Sequence, residues 1–226
     1  MTGRYLLAER PEVVAAAFGI ETPEWLPPRY NIAPGGPIAI IRFDHGSRSL
    51  MLVRWGLIPS WVRDPRKFGP FMNARGEGIA DKPAFRGGMQ YRRCLVPASG
   101  WYHWEEGRGG TRQPWLVRPR QGGPIAFAGL WDPWLGADGS EIDGALIVTV
   151  GAGADVAGIA DRMPAVLEPA DRERWLDTDR VRAGAAAGVL RPAAGGTLEA
   201  VPVSPRVNKV ENDDPSLIAP AADGAA

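Results

Sequence analysis

Short apolar runs, each closed by glycine, proline or aspartate, set the rhythm of this chain. Residues 37–43 (PIAIIRF) and 48–55 (RSLMLVRW) are β-rich and flank the turn-forming DHGS, which predicts a hairpin. Further apolar runs at 92–98, 114–118, 124–131 and 144–150, separated by Gly-, Pro- and Asp-rich turns, predict more strands. Helical signals are fewer. Residues 11–18 (PEVVAAAF) read as a short helix with proline near its first turn. A second helix is expected after Pro169 (ADRERWLD) and an Ala-rich one over 179–190. The segment LEAVPVS predicts a closing strand, and the chain after Pro215 reads as a frayed tail. Many short strands with few helices predict an α+β, mainly β domain over 1–214, built as a curled sheet or barrel core with flanking helices. Residues 215–226 are expected to form a flexible tail.

Composition narrows this picture. A length of 226 residues suits one domain with a sizeable core, and 45% hydrophobic residues argue against disorder. No run of about 18 apolar residues spans a bilayer, and the start MTGRYLLAERPE lacks the pattern of a secretion signal, so a cytoplasmic protein is expected. One cysteine, Cys94, excludes an internal disulfide framework and a cysteine-cluster metal site. With only two histidines, His45 and His103, no metal site and no cofactor are expected. The nine tryptophans read mostly as core or interface anchors.

Charge adds a hint about partners. Residues 1–113 carry 16 Lys+Arg against 10 Asp+Glu, and residues 114–226 carry 10 against 16, so the halves stand at +6 and −6. Such asymmetry fits an anionic partner on one face, and it equally fits scattered solvated charge.

Several segments then resemble one family. They are MTGRY at the amino terminus, RYNIAPG (Arg29 to Gly35), RWGLIPSW (Arg54 to Trp61) and FMNARGE (Phe71 to Glu77). RCLVPASGWYHW (Arg93 to Trp104), ADRMPAVL (Ala160 to Leu167) and VPVSPRVNKVEND (Val201 to Asp213) complete the set. In this order they resemble the SRAP family, the SOS-response-associated peptidase domain that shields abasic sites in single-stranded DNA. The resemblance implies an SRAP-type core with a positively charged cleft for single-stranded DNA, in a monomer. It also implies chemistry at the amino terminus. In the family the initiator methionine is removed, and the exposed Cys amine and thiol close on an abasic-site aldehyde as a thiazolidine. An Asn, a Glu and a His assist.

Carried onto this chain, the resemblance splits. Asn73 and Arg75 match the family's Asn and neighbouring arginine, and Arg4 and Arg162 stand where the family places basic residues facing DNA. Trp61, with Trp55 and Pro59, offers aromatics for stacking on bases, at least one of these tryptophans being core. Three chemical positions differ: Thr2 stands for the nucleophilic Cys, His103 for the Glu and Ala160 for the His. A Thr amine can still form a Schiff base, whereas its hydroxyl is a far poorer nucleophile than a thiolate.

Each of these residues has a plainer reading. His103 either fills space between Trp101 and Trp104, contacts a phosphate or sugar, or transfers protons. Arg75 with Glu77, or Arg162 with Asp161, would form internal ion pairs. Cys94, within CLVPA, reads as a small buried hydrophobe. His45 reads as an exposed turn residue. Three functions follow: a DNA-binding SRAP protein with the covalent step impaired, an enzyme forming an imine through the Thr2 amine, or a protein-interaction module. No Ser/His/Asp arrangement of a general protease is visible.

Overall fold

The structure is a computed structural model that describes residues 3–44, 46–106 and 112–221. In chain order its strands are β1 (Arg4–Leu7), β2 (Arg29–Ile32), β3 (Pro37–Asp44), β4 (Ser47–Trp55), β5 (Asn73–Arg75), β6 (Arg93–Ala98) and β7 (Gly100–Glu106). There follow β8 (Arg112–Pro119), β9 (Ile125–Leu135), β10 (Glu141–Gly151), β11 (Arg162–Pro164), β12 (Val166–Leu167) and β13 (Leu198–Pro202). The helices are α1 (Pro11–Phe18), α2 (Arg86–Tyr91), α3 (Pro169–Leu176) and α4 (Ala183–Ala187).

Pairing closes β10, β4, β3, β6 and β9 into a ring, because β10 hydrogen-bonds both β4 and β9. Closure leaves no edge to protect along this part of the sheet. All residues of β6 are buried, as expected of a strand covered on both faces. Where β10 runs parallel to β4, a Cβ on Gly144 would lie 2.6 Å from the Gly56 carbonyl oxygen, so only glycine admits this approach.

A second sheet, in the order β13-β8-β7-β1-β2, packs against the ring. Aromatic rings form the seam. Tyr5 of β1 meets Trp55 of β4 edge-on at 5.4 Å and Phe127 of β9 at 5.9 Å, and Trp101 of β7 meets Phe127 at 5.8 Å. Such T-shaped contacts join large apolar areas to a favourable quadrupole geometry. The seam fixes β1 and β7 against the barrel.

The expected fold class is observed. The hairpin around DHGS forms, joining β3 and β4 in register from Pro37↔Arg54 to Asp44↔Ser47. Pro11 opens α1 and Gly19, at φ 62, closes it in the left-handed region that glycine tolerates. Two expectations change. The Ala-rich helix covers only Ala183–Ala187, because Arg182 is extended and Gly184 and Gly188 weaken propagation. The chain beyond Pro215 is not frayed at its start. Pro215–Ile218 forms a 3-10 turn, capped by the Asp214 side chain accepting from the Ser216 N–H, and Leu217 is fully buried beside Leu6 and Tyr102. Residues 222–226 of the expected tail lie outside the described residues.

Candidate functional site

β7 leaves the core at His103. Its first residues, Gly100 to Tyr102, are buried, while His103, Trp104 and Glu105 are half-buried and Glu106 is exposed. Alternation along a strand puts His103 on the same face as Trp101, toward the barrel. Opposite stands the segment 157–162, which turns into β11. Between them opens a cleft of about 700 Å³ whose walls include Arg75, His103, Ala160 and Arg162. Four of the residues singled out from sequence thus share one cavity.

β5 supplies Arg75. It runs parallel to β10, with Ala74 buried and Asn73 and Arg75 on its other face. Asn73 is half-buried, two residues from the cleft-lining Arg75. The Arg75 guanidinium is exposed and makes no ion pair among the described residues. Arg162 is differently placed. It faces Gly151 across the β10–β11 pairing, and its guanidinium donates to both Glu77 carboxylate oxygens at 3.0 and 2.8 Å. It also donates to the Thr149 carbonyl at 2.7 Å. The bidentate partner of Arg162 is therefore Glu77, not the expected Asp161. This hydrogen bond from Arg162 holds the Glu77 carboxyl below its ordinary pKa.

Burial holds the His103 pKa below the ordinary value, against the opposing pull of Asp161 and Glu105. Ala160, 9% exposed, follows Ile159 directly and brings no side chain that titrates. An imidazole is thus present in the cleft, reaching it from the β7 wall.

Arg4 belongs to a different construction. Its guanidinium donates to Asn31 Oδ1 at 2.8 Å, to the Val207 carbonyl at 2.8 Å and to the Asn208 carbonyl at 3.1 Å, and it sits 5.9 Å from the Trp104 ring. Asn31 is fully buried, and its amide donates to the carbonyls of Val207, Lys209 and Asn212. Asp213 accepts from the backbone N–H groups of Tyr30 and Asn31. Arg4 and Asn31 together clamp the closing segment 207–213 onto β1 and β2. Asn31 lies within RYNIAPG, and only its contacts to residues 207–212 in the closed fold mark it out.

The remaining candidates scatter. Trp61 is 63% exposed and packs edge-on against Phe68 at 5.6 Å, outside the cleft walls, while Trp55 is core. Cys94 is fully buried, and burial pushes its thiol pKa up, which removes it as a nucleophile. Thr2 and His45 lie outside the described residues. No group of three or more His, Cys, Asp or Glu among the described residues could hold a metal ion, and no helix among them is long and apolar enough to cross a membrane.

A family model described as SOS response associated peptidase (SRAP) matches residues 1–210. The chain belongs to the SRAP family. Among its relatives, the abasic site processing protein YoqW of Bacillus subtilis is 31% identical over 96% of this chain and 99% of its own length. The abasic site processing protein HMCES of Gallus gallus is 33% identical over 88% of this chain and 70% of its own. The SRAP fold is matched by the crystal structure of a Bacteroides thetaiotaomicron protein, with a TM-score of 0.85 and 25% identity over 97% of this chain and 99% of the other.

Proposed function

We propose that this chain binds single-stranded DNA at abasic sites in the response to DNA damage and holds it without a durable covalent bond. The observation that carries this reading is the cleft that gathers Arg75, Arg162, His103 and Ala160. Its cations suit a phosphate backbone, which supplies most nucleic-acid affinity. The family relatives named as abasic site processing proteins support the substrate class.

The chemistry follows from the amino terminus. Arg4 pairs with Tyr102 across β1 and β7, and Tyr102 directly precedes His103 in the sequence. An α-amine of ordinary pKa, about 8, is partly neutral at physiological pH. It adds to the aldehyde carbon, the resulting hydroxyl leaves as water and a Schiff base forms. Ring closure by the Thr2 hydroxyl gives an oxazolidine, which reopens readily. The complex therefore reverts.

A second reading has its own support. His103, held neutral by burial, can accept a proton from the attacking amine and return it to the departing hydroxyl, which makes the chain an imine-forming enzyme. Borohydride trapping separates the two. An adduct on abasic single-stranded DNA that needs reduction, and that is lost on acetylating the Thr2 amine, supports the imine. Salt-sensitive binding without any trapped adduct supports binding alone. An absence of strand binding at low salt sinks both and leaves a protein-interaction module.

A further inference from the structure

The Arg162–Glu77 pair is built unequally. Arg162 is tethered from beneath by β10, through the Thr149 carbonyl at 2.7 Å and the Thr149 hydroxyl at 3.3 Å. Its side chain is only 18% exposed, whereas that of Glu77 is 59% exposed. Removing Glu77 would leave Arg162 where it is. Glu77 itself follows Gly76 and precedes Gly78, which has φ 64, and its carboxylate can swing into solvent at little cost.

A carboxylate and a phosphodiester present the same thing to a guanidinium: two oxygens sharing one negative charge in a plane that matches the arginine fork. Glu77 fills both positions of the outward fork of Arg162. Arg162 lines the cleft and Glu77 does not. A strand phosphate entering the cleft therefore meets an arginine already occupied, while Arg75 nearby stands open.

We infer that Glu77 is an internal phosphate mimic that a DNA phosphate must displace from Arg162, so that Glu77 sets the strength of strand binding. This rests on the proposed reading that single strands enter the cleft. The phosphate exchanges for the carboxylate, no bond is made or broken, and the strand gains Arg162 only when it also fills the rest of the site. Weak, isolated anions are thereby kept off this arginine.

The test uses the full chain and a fluorescently labelled oligothymidylate with an internal abasic site. Glu77→Gln removes the charge and keeps the shape, and Glu77→Ala controls for any fold defect of the first variant, with both checked by thermal unfolding. Expected is tighter binding by about threefold in either variant, the size measured for exposed ion pairs. Arg162→Ala is then expected to weaken binding more in the Glu77→Gln background than in the wild type, by that same factor. Three results overturn the inference. Weakened binding by Glu77→Gln would make Glu77 a support for Arg162. Unchanged binding would show that the pair never competes with DNA. Tighter binding with an equal Arg162→Ala loss in both backgrounds would be a general charge effect. If no variant and no wild-type protein bound the strand, the proposed function itself would fall, and the inference with it.

Discussion

His103 of β7 and Ala160 of the segment leading into β11 line the same cleft. His103 is the one histidine among the described residues that line it. Where the resemblance puts a Glu on β7 and a His on the opposite segment, this chain has an imidazole on β7 and a methyl group opposite. The space left by Ala160 is bordered by His103 itself.

The burial of His103 predicts a pH dependence. Burial lowers the His103 pKa from its ordinary 6.5, so the unfolded chain binds more protons than the folded one between the two values. The contribution is fully present above pH 6.5 and is lost as pH falls toward the folded value. His103→Gln is expected to flatten the loss of thermal midpoint on acidification through this window. Equal slopes for the two proteins would show that His103 titrates as it does in the unfolded chain.

Cys94 is expected to be chemically silent. It is fully buried with a raised thiol pKa, and a thiolate is needed for alkylation. Iodoacetamide should label the wild-type protein only in denaturant, as read by intact mass. Rapid labelling of the native protein would place Cys94 in an accessible, activated setting.

Arg93 should matter for stability more than any surface arginine. It is 1% exposed and donates to the carbonyls of Met89, Trp175, Asp177 and Val181, the last two at 2.7 and 2.8 Å. Burial lowers its pKa to about 10, which leaves it charged at neutral pH. Arg93→Met keeps length but strands these carbonyls, at a cost of about 3 kcal/mol. Urea unfolding measures it. A loss below about 1 kcal/mol would mean that water replaces the guanidinium.

The barrel was legible because its strands are long apolar runs. The runs at 37–43 and 48–55 match β3 and β4 to within one residue at either end, while those at 124–131 and 144–150 fall on the longer β9 and β10. The short strands β5 and β11 carry Arg75 and Arg162 and have too few residues to show a period. Local pattern therefore gives no sign of the cleft, whereas the ordered motifs name Arg75, His103, Ala160 and Arg162, which line it. Nor could it choose the partner of Arg162, since Glu77 lies 85 residues away and Asp161 is adjacent in sequence. The clamp by Arg4 and Asn31 likewise joins residues separated by up to 204 positions, a contact that only the closed fold creates.

The decisive substitution is Thr2→Cys. The cleft keeps Arg75, Arg162 and an imidazole, so a strand bound there should still present its aldehyde to the amino terminus. With sulfur at residue 2, the imine carbon is attacked by a thiolate, a far stronger nucleophile than a hydroxyl at neutral pH. The five-membered ring then closes through a C–S bond as the C=N π pair moves to nitrogen, which takes up a proton from water and becomes a secondary amine. Thr2→Cys protein is expected to carry an abasic oligonucleotide through heating in denaturant without any reductant, and the wild type is not. Adding His103→Glu and Ala160→His should raise the yield if proton transfer limits ring closure. Failure of the triple variant would show that the walls of the cleft, not the missing thiol, prevent cross-linking. A heat-stable, unreduced adduct on the wild type would show that oxygen suffices, and the proposal of a reversible complex would be wrong.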